Sequence, residues 1–106
     1  MYEAEYNDES VYDEALQVQD QINTLIAWRF EGSVGRRMME FIEAGYCVLG
    51  RESTSDYYGN RIPSRKEVKA GTMGSYQFVK QQHGKGWADT VNRRKDKRPL
   101  NVLRGA

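Results

Sequence analysis

The chain has 106 residues, close to the commonest domain size, so we expect a single domain over 1–106. Hydrophobic residues at 39% and charged residues at 29% exclude a disordered chain, and the lone cysteine excludes an internal disulfide and a thiolate metal site. No apolar run approaches the roughly 20 residues of a membrane span, and the acidic start is unlike a signal peptide, so a cytoplasmic protein is expected.

The net charge of +1 conceals an asymmetry along the chain. Residues 1–50 hold ten acidic and three basic side chains, a net of −7, whereas residues 51–106 hold thirteen basic and five acidic ones, a net of +8. The second half would attract a phosphate backbone that the first half would repel. We divide the chain into an acidic lead (1–9), an acidic helical hairpin (10–46), a mixed basic segment (47–91) and a basic and apolar tail (92–106).

Apolar residues recur at helical spacing in the first acidic segment. They predict one helix from Ser10 to about Phe30, with Ser10 as its N-cap and Asp13 completing a capping-box pattern. We expect the apolar seam of this helix to face the core, although a homodimer through Val11, Val18, Ile22 and Leu25 is an alternative. Ala15 completes this seam, and Leu16, Ile26 and Phe30 widen it. The opposite, polar face carries Asp13, Glu14, Gln17, Gln19, Asp20 and Asn23.

A second helix is expected after a break at 31–35, with Ser33 as its cap and Gly45 as its stop. The short break predicts an αα-hairpin. Met38, Phe41, Ile42 and Tyr46 would form the apolar stripe of the second helix.

The second half of the chain changes to β-prone and then to short helical patterns. Residues 46–50 and 56–62 favour strands, with turn formers at 51–55 between them, so we expect a short β-hairpin or an irregular β segment. Two short helices should follow, at about 63–71 and 75–82, with a further turn or two at 86–97. The fold class is therefore mainly α with a small β element (α+β). The apolar end of the tail should dock on the domain or on a partner.

No arrangement typical of catalysis is found. His83 is the only histidine, and neither it nor Cys47 belongs to a nucleophile pattern. No loop shows the alternating acidic register of a calcium site. We therefore expect a non-enzymatic protein without a metal or cofactor.

The leading functional hypothesis is nucleic-acid binding, to DNA or RNA, by the basic half of the chain. Arginine and lysine would neutralise phosphates, and the interleaved rings of Tyr57, Tyr58, Tyr76 and Trp87, where exposed, could stack on bases or anchor a protein contact. The alternative is a solvated basic face with the tyrosines in the core. Residues 63–83 also have the outline of a helix-turn-helix, and the loop 70–75 could contact one phosphate. The predicted binding residues are Arg61, Arg65, Lys66, Lys69, Lys80, Arg93, Arg94, Lys95, Lys97 and Arg98.

The alternative is a small protein-binding inhibitor or adaptor, in the style of phages and mobile elements. Its acidic helix would engage a basic, nucleic-acid-handling host protein through Asp13, Glu14, Asp20 and Glu31. A third possibility is an oligomeric assembly component, because opposite poles favour head-to-tail contacts between copies. All three hypotheses require that the two charged halves remain on separate faces.

Overall fold

The structure of the chain, a computed structural model, describes residues 8–95. The order of elements is α1 (Asp8–Thr24), a 3₁₀ turn (Ile26–Arg29), α2 (Gly32–Glu43), β1 (Thr54–Ser55), β2 (Arg61–Ile62), α3 (Tyr76–His83) and α4 (Lys85–Arg93). The expected mainly helical α+β fold is confirmed. Over residues 8–95, no helix combines the length and apolar character needed to cross a bilayer. The predicted docking of the apolar tail concerns residues outside the described range.

The first helix is shorter than its periodicity predicts. It already includes Ser10, which is therefore not its N-cap, and it ends before Leu25, whose φ of 67° is left-handed. The break turns Ala27 and Trp28 into the core and lays Leu25 over Gly50, where an added Cβ would meet Leu25 Cδ2 at 2.8 Å. The same turn leaves two apolar side chains exposed to solvent on its other side. Ile26 and Phe30, expected to widen the apolar seam, are 59% and 54% exposed.

The apolar seam of α1 is used within the chain. Ala15, Val18 and Ile22 are fully buried and share a core with Met38 and Ile42 of α2. Val11 and Leu25 are partly buried. The seam therefore faces the core, as the first interpretation expected, and in this fold it does not form a free dimer surface.

Two residues assigned to the polar face of α1 are in the core instead. Gln19 and Asn23 are buried, and the Gln19 amide pairs with the backbone of Val48 on both sides: Nε2 donates to the carbonyl at 2.9 Å, and the Val48 N–H donates to Oε1 at 2.8 Å. Gln19 thus satisfies both backbone groups of Val48, in a segment at 46–50 that forms no strand within the described chain. The strand predicted for 46–50 is replaced by this side-chain pairing.

The second helix begins and ends close to the predicted residues. Its N-cap is Glu31, whose carboxylate accepts from the backbone N–H of Ser33 at 3.1 Å, so Ser33 is not the cap. Its stop is Gly45, as expected: φ is +81°, and the N–H groups of Gly45 and Tyr46 close back on the carbonyls of Ile42 and Phe41. The helix packs on α1 and completes the αα-hairpin.

The β-hairpin is present, but its strands are displaced from the predicted runs. Thr54 pairs with Ile62 and Ser55 with Arg61, in antiparallel register. The turn formers at 51–55 therefore contribute β1, while residues 56–60 form the connecting turn. The cause is the Asp56 side chain, which accepts from the N–H groups of Tyr58 and Asn60 at 2.9 and 2.8 Å and closes the turn there.

The short helix predicted at 63–71 is absent, so the helix-turn-helix interpretation is wrong. Glu67 does accept from the Ser64 N–H at 3.2 Å, but the chain forms only turns there. The competing factor is Arg65, which is buried. Its guanidinium donates to the Leu49 carbonyl at 2.8 Å, to Asn92 Oδ1 at 2.9 Å and to Asn23 Oδ1 at 3.1 Å. These tertiary bonds override the local helical preference.

The last two helices form a compact pair. Ser75 caps α3 by accepting from the Phe78 N–H at 3.1 Å, and Gly84, at φ +91°, separates α3 from α4. The helix predicted at 75–82 is thus confirmed, whereas α4 is longer than the turn or two expected. Val79, Ala88 and Val91 bury their side chains with Val48 in a second small core.

Candidate functional site

An open cleft lies between α2, the 3₁₀ turn and the β-hairpin. It has a volume of about 320 Å³. Trp28, Phe30, Met39 and Ile62 contribute apolar lining, and the hairpin turn contributes Tyr57, Tyr58 and Asp56. The cleft is therefore built from both halves of the chain, and four aromatic residues line it.

The hairpin turn displays two rings side by side. Tyr57 and Tyr58 are 55% and 69% exposed, and their centroids lie 5.1 Å apart in an edge-to-face arrangement. The turn beneath them is held by four hydrogen bonds to Asp56, three to its side chain from Tyr58 and Asn60 and one from the Gly59 N–H to its carbonyl at 3.0 Å. A well-bonded turn thus presents aromatic surface to solvent.

Gly32 at the start of α2 seats one of these rings. A Cβ at this position would lie 2.6 Å from the Tyr58 hydroxyl oxygen and 3.2 Å from Arg36 Nη1. The absence of a side chain at Gly32 therefore allows Tyr58 to close onto the helix, with the Arg36 guanidinium beside it. All three residues line the cleft, so this contact forms part of its wall.

The buried wall of the cleft contains an unused donor. Trp28 is only 2% exposed, and its indole N–H is the one buried side-chain donor without a hydrogen-bond partner between residues 8 and 95. Such a group costs about 1–3 kcal/mol. An unpaired buried donor requires an explanation in function or in folding.

The charge of the cleft is predominantly negative. Three carboxylates (Glu40, Glu43 and Asp56) line it, against the single guanidinium of Arg36. Glu40 and Glu43 stand one helical turn apart on α2 and are exposed, and neither forms an ion pair with any described residue. Two carboxylates at the cleft are therefore available to a ligand.

Several of the cations predicted to bind nucleic acid are engaged inside the molecule. Arg65 is buried, and burial, assisted by the nearby charge of Arg51, lowers its pKa to about 10. Arg94 pairs with Asp20 through two bonds of 2.9 and 2.6 Å, and this contact raises the Arg94 pKa. Arg61 pairs with Glu67 at 2.6 Å on the surface. We therefore leave Arg65 and Arg94 out of any proposed phosphate-binding surface.

Five of the remaining predicted cations are exposed. No ion pair with another described residue is formed by Lys66, Lys69, Lys80, Arg93 or Lys95. Lys97 and Arg98 lie outside the described residues.

The acidic residues predicted to bind a partner are mostly occupied as well. Glu14 pairs with Arg37 at 2.6 Å, and Asp20 is held by Arg94. Glu31 caps α2, and its hydrogen bonds from Ser33 lower its pKa. Of the four, Asp13 is exposed and takes part in no ion pair with a described residue. Most of the predicted acidic surface is therefore engaged within the chain, whereas Glu40 and Glu43 on α2 form no ion pair with a described residue.

The two groups considered for nucleophilic chemistry have structural positions. Cys47 is buried, its thiol donates to the Ala15 carbonyl at 3.3 Å, and burial raises its pKa far above the ordinary value. His83 lies between the Tyr12 hydroxyl, 3.1 Å from Nδ1, and the Ala44 carbonyl, 3.2 Å from Nε2, and stacks on Tyr46. In the described range, no group of three or more His, Cys, Asp or Glu side chains could hold a metal ion.

Sequence reasoning noted the cleft residues separately but did not bring them together. Tyr57 and Tyr58 were considered as rings for stacking, Phe30 was assigned to the apolar seam of the first helix, and Trp28 was not singled out. Nothing in the sequence placed them beside Glu43. Comparison with protein-family models, with curated proteins and with solved structures finds no match for this chain.

Proposed function

We propose that this protein is a non-enzymatic protein-binding module, an inhibitor or adaptor, that docks a positively charged segment of its partner in the aromatic cleft. The observation that carries the proposal is the pairing of exposed aromatic surface with unneutralised carboxylates in one cavity. Aromatic side chains are enriched at protein interfaces because they supply large contact areas. The surplus negative charge selects partners of the opposite sign.

The proposal keeps the hypothesis of a protein-binding inhibitor or adaptor but assigns its binding surface to a different part of the fold. The acidic contact was expected on α1, where Glu14 and Asp20 are already paired within the chain. The cleft on α2 offers free carboxylates and apolar area together. A cytoplasmic setting is part of the proposal, because the single thiol of Cys47 suits a reducing compartment.

The test is fluorescence anisotropy with a short labelled peptide in which arginine and lysine alternate with leucine. We expect binding at low salt that weakens as salt rises. Glu43→Gln and Glu40→Gln should each weaken binding roughly two- to five-fold, the effect of one exposed charge pair. Glu52→Gln, an exposed carboxylate outside the cleft, is the matched control and should bind like the parent protein. If the control weakens binding as much as Glu43→Gln, the contact is nonspecific attraction and the cleft proposal is overturned.

Nucleic-acid binding is the second candidate function, and it is supported by the exposed cations without carboxylate partners. The affinity for nucleic acid falls as the salt concentration rises, and the steepness of log affinity against log salt concentration reports the number of phosphate contacts. Lys69→Gln and Lys80→Gln should each make this dependence shallower by about one if each lysine contacts a phosphate. Lys85→Gln is the control, because Asp89 already neutralises Lys85 at 2.9 Å. Equal slopes for all three variants would contradict this candidate.

A further inference from the structure

We infer that the side chain recognised in the aromatic cleft is arginine, an inference that rests on the protein-binding function proposed above. The size of the cleft gives the first argument. At about 320 Å³ it lies at the lower end of the range for ligand pockets. Such a volume fits one long side chain with an apolar neighbour, rather than a folded element.

The rings give the second argument. Because Tyr57 and Tyr58 meet edge to face, the cleft offers ring surfaces in two orientations. A guanidinium stacks flat on an aromatic face and gains cation–π attraction, and its weak hydration makes it easier to remove from water than an ammonium group. The chain already contains one such contact on α2, where the Arg37 guanidinium carbon lies 5.8 Å from the centre of the Phe41 ring.

The carboxylates give the third argument. Glu40 and Glu43 are spaced by three residues on one helix, so their side chains project from neighbouring positions on the same face. The planar fork of arginine donates two parallel hydrogen bonds to a carboxylate, a geometry that lysine cannot reproduce. Stacking and forked pairing together therefore favour arginine over lysine.

Arg36 provides a further test of the inference, because it places a positive charge, the same sign as the proposed ligand, on the cleft wall. It lies beside Tyr58 over Gly32 and repels an incoming cation. Arg36→Gln should therefore strengthen binding of an arginine peptide roughly two- to five-fold, the reverse of Glu43→Gln. Arg29→Gln, an exposed arginine outside the cleft lining, is the matched control.

The experiment compares three peptides that are identical except at one central position: arginine, lysine or citrulline, which has the shape of arginine without its charge. Affinities are measured by isothermal titration against the full chain and its variants. We expect the arginine peptide to bind at least five-fold more tightly than the lysine peptide, and the citrulline peptide to bind most weakly. Tyr58→Leu should reduce the preference for arginine, and Tyr58→Phe, which keeps the ring, should retain it.

The outcomes separate this inference from the function beneath it. If neither cationic peptide binds, the proposed function is overturned and the inference with it. If arginine and lysine peptides bind equally and Tyr58→Leu has no effect, the inference alone is overturned. Because Tyr58 is 69% exposed, its replacement should leave the thermal midpoint unchanged, which circular dichroism checks for each variant. The final control is a peptide with the sequence of residues 93–104 of this chain. If it binds in the cleft more tightly than the arginine peptide, the occupant is a second copy of the chain, and the proposal of a different protein as partner is overturned.

Discussion

The buried guanidinium of Arg65 permits a quantitative test of the fold. Arg65 joins the loop after β2 to α1, to α4 and to the extended segment at 46–50 through hydrogen bonds to Asn23, Asn92 and Leu49. The substitution Arg65→Met retains much of the apolar stem of the side chain and removes every donor. It therefore isolates the contribution of the hydrogen bonds from that of packing.

The acceptors that lose their donor set the magnitude. Asn23 Oδ1 keeps a bond from Gln19 Nε2 at 3.1 Å, and the Asn92 carbonyl keeps one from Arg51 at 3.2 Å. The Leu49 carbonyl and Asn92 Oδ1 have no other donor in the described part of the chain. Two acceptors at about 1–3 kcal/mol each set an upper range of about 2–6 kcal/mol, because Asn92 is only partly buried and water can reach its side chain. Removing a buried charge recovers part of its desolvation cost, so we expect a loss near the lower end, about 3 kcal/mol.

Urea denaturation followed by circular dichroism measures this loss directly. Arg65→Met should lower the unfolding free energy by about 3 kcal/mol without a change in the denaturant slope. Lys66→Met, at the neighbouring exposed position, is the control and should change it by less than about 0.5 kcal/mol. An Arg65→Met protein as stable as this control would refute the account of the loop as a segment held by a buried arginine.

Three further predictions concern single positions. Gly74→Ala should lower the unfolding free energy by about 2–4 kcal/mol in urea denaturation, because φ is +90° and the new Cβ would lie 2.5 Å from Leu49 Cδ1. Gly59→Ala, where φ is +86° and the added Cβ meets no atom, should lower it by only about 1 kcal/mol. Equal losses would contradict the packing argument. Asp20→Asn should cost about 1–2 kcal/mol by the same assay, between the values for exposed and buried ion pairs, and no measurable loss would mean that its bond to Arg94 is dispensable. Hydrogen bonds from Tyr76 and Lys85 lower the pKa of Asp89 from its ordinary 3.8, so its stabilising contribution is present above that pH and is lost as the pH falls through the lower, folded-state pKa. Asp89→Asn should therefore lower the thermal midpoint at pH 7 and flatten its decline in acid, and an unchanged acid profile would count against this linkage.

The sequence predicted the ends of helices correctly where the end is stabilised by residues next to it in the chain. Ser75 caps α3 through the Phe78 N–H, and Gly45 ends α2 in a left-handed conformation, as the sequence predicts. Both depend on atoms within a few residues of the helix end. Such interactions can be identified from residue type and spacing alone.

The predictions failed where a distant group outweighed the local preference. The pattern at 63–71 is helical, but four hydrogen bonds from Arg65 to other parts of the chain hold that segment in turns. Gln19 has the periodicity of a surface residue, yet it is buried because it alone pairs with the Val48 backbone. Leu25 adopts a positive φ, which is unfavourable for a leucine, and its side chain lies against Gly50. None of these partners is close in sequence.

The cleft was hidden from the sequence for the same reason. Tyr57 and Tyr58 lie in the β-prone run at 56–62, but their position beside Gly32 depends on where the hairpin packs. Glu43 has the spacing of an ordinary solvent-facing acid, and only the fold places it in a cavity with Trp28. Conversely, Arg65 looked like part of a phosphate-binding surface because burial is not visible in a charge count.

The charge asymmetry of the sequence survives folding only in part, and this decides how the two candidate functions can be separated. The contact between Asp20 and Arg94 neutralises one charge from each half and draws the end of α4 onto α1. The surplus negative charge remains at the cleft with Glu40 and Glu43, and the surplus positive charge remains on exposed residues such as Lys69 and Lys80. If these are separate surfaces, Glu43→Gln must weaken the binding of a basic peptide without reducing the affinity for nucleic acid. Lys69→Gln must reduce the affinity for nucleic acid without weakening the binding of the peptide. A Glu43→Gln protein that bound both ligands less tightly would show that the substitution acts through the fold and not through the cleft, because removing a negative charge cannot directly weaken a phosphate contact.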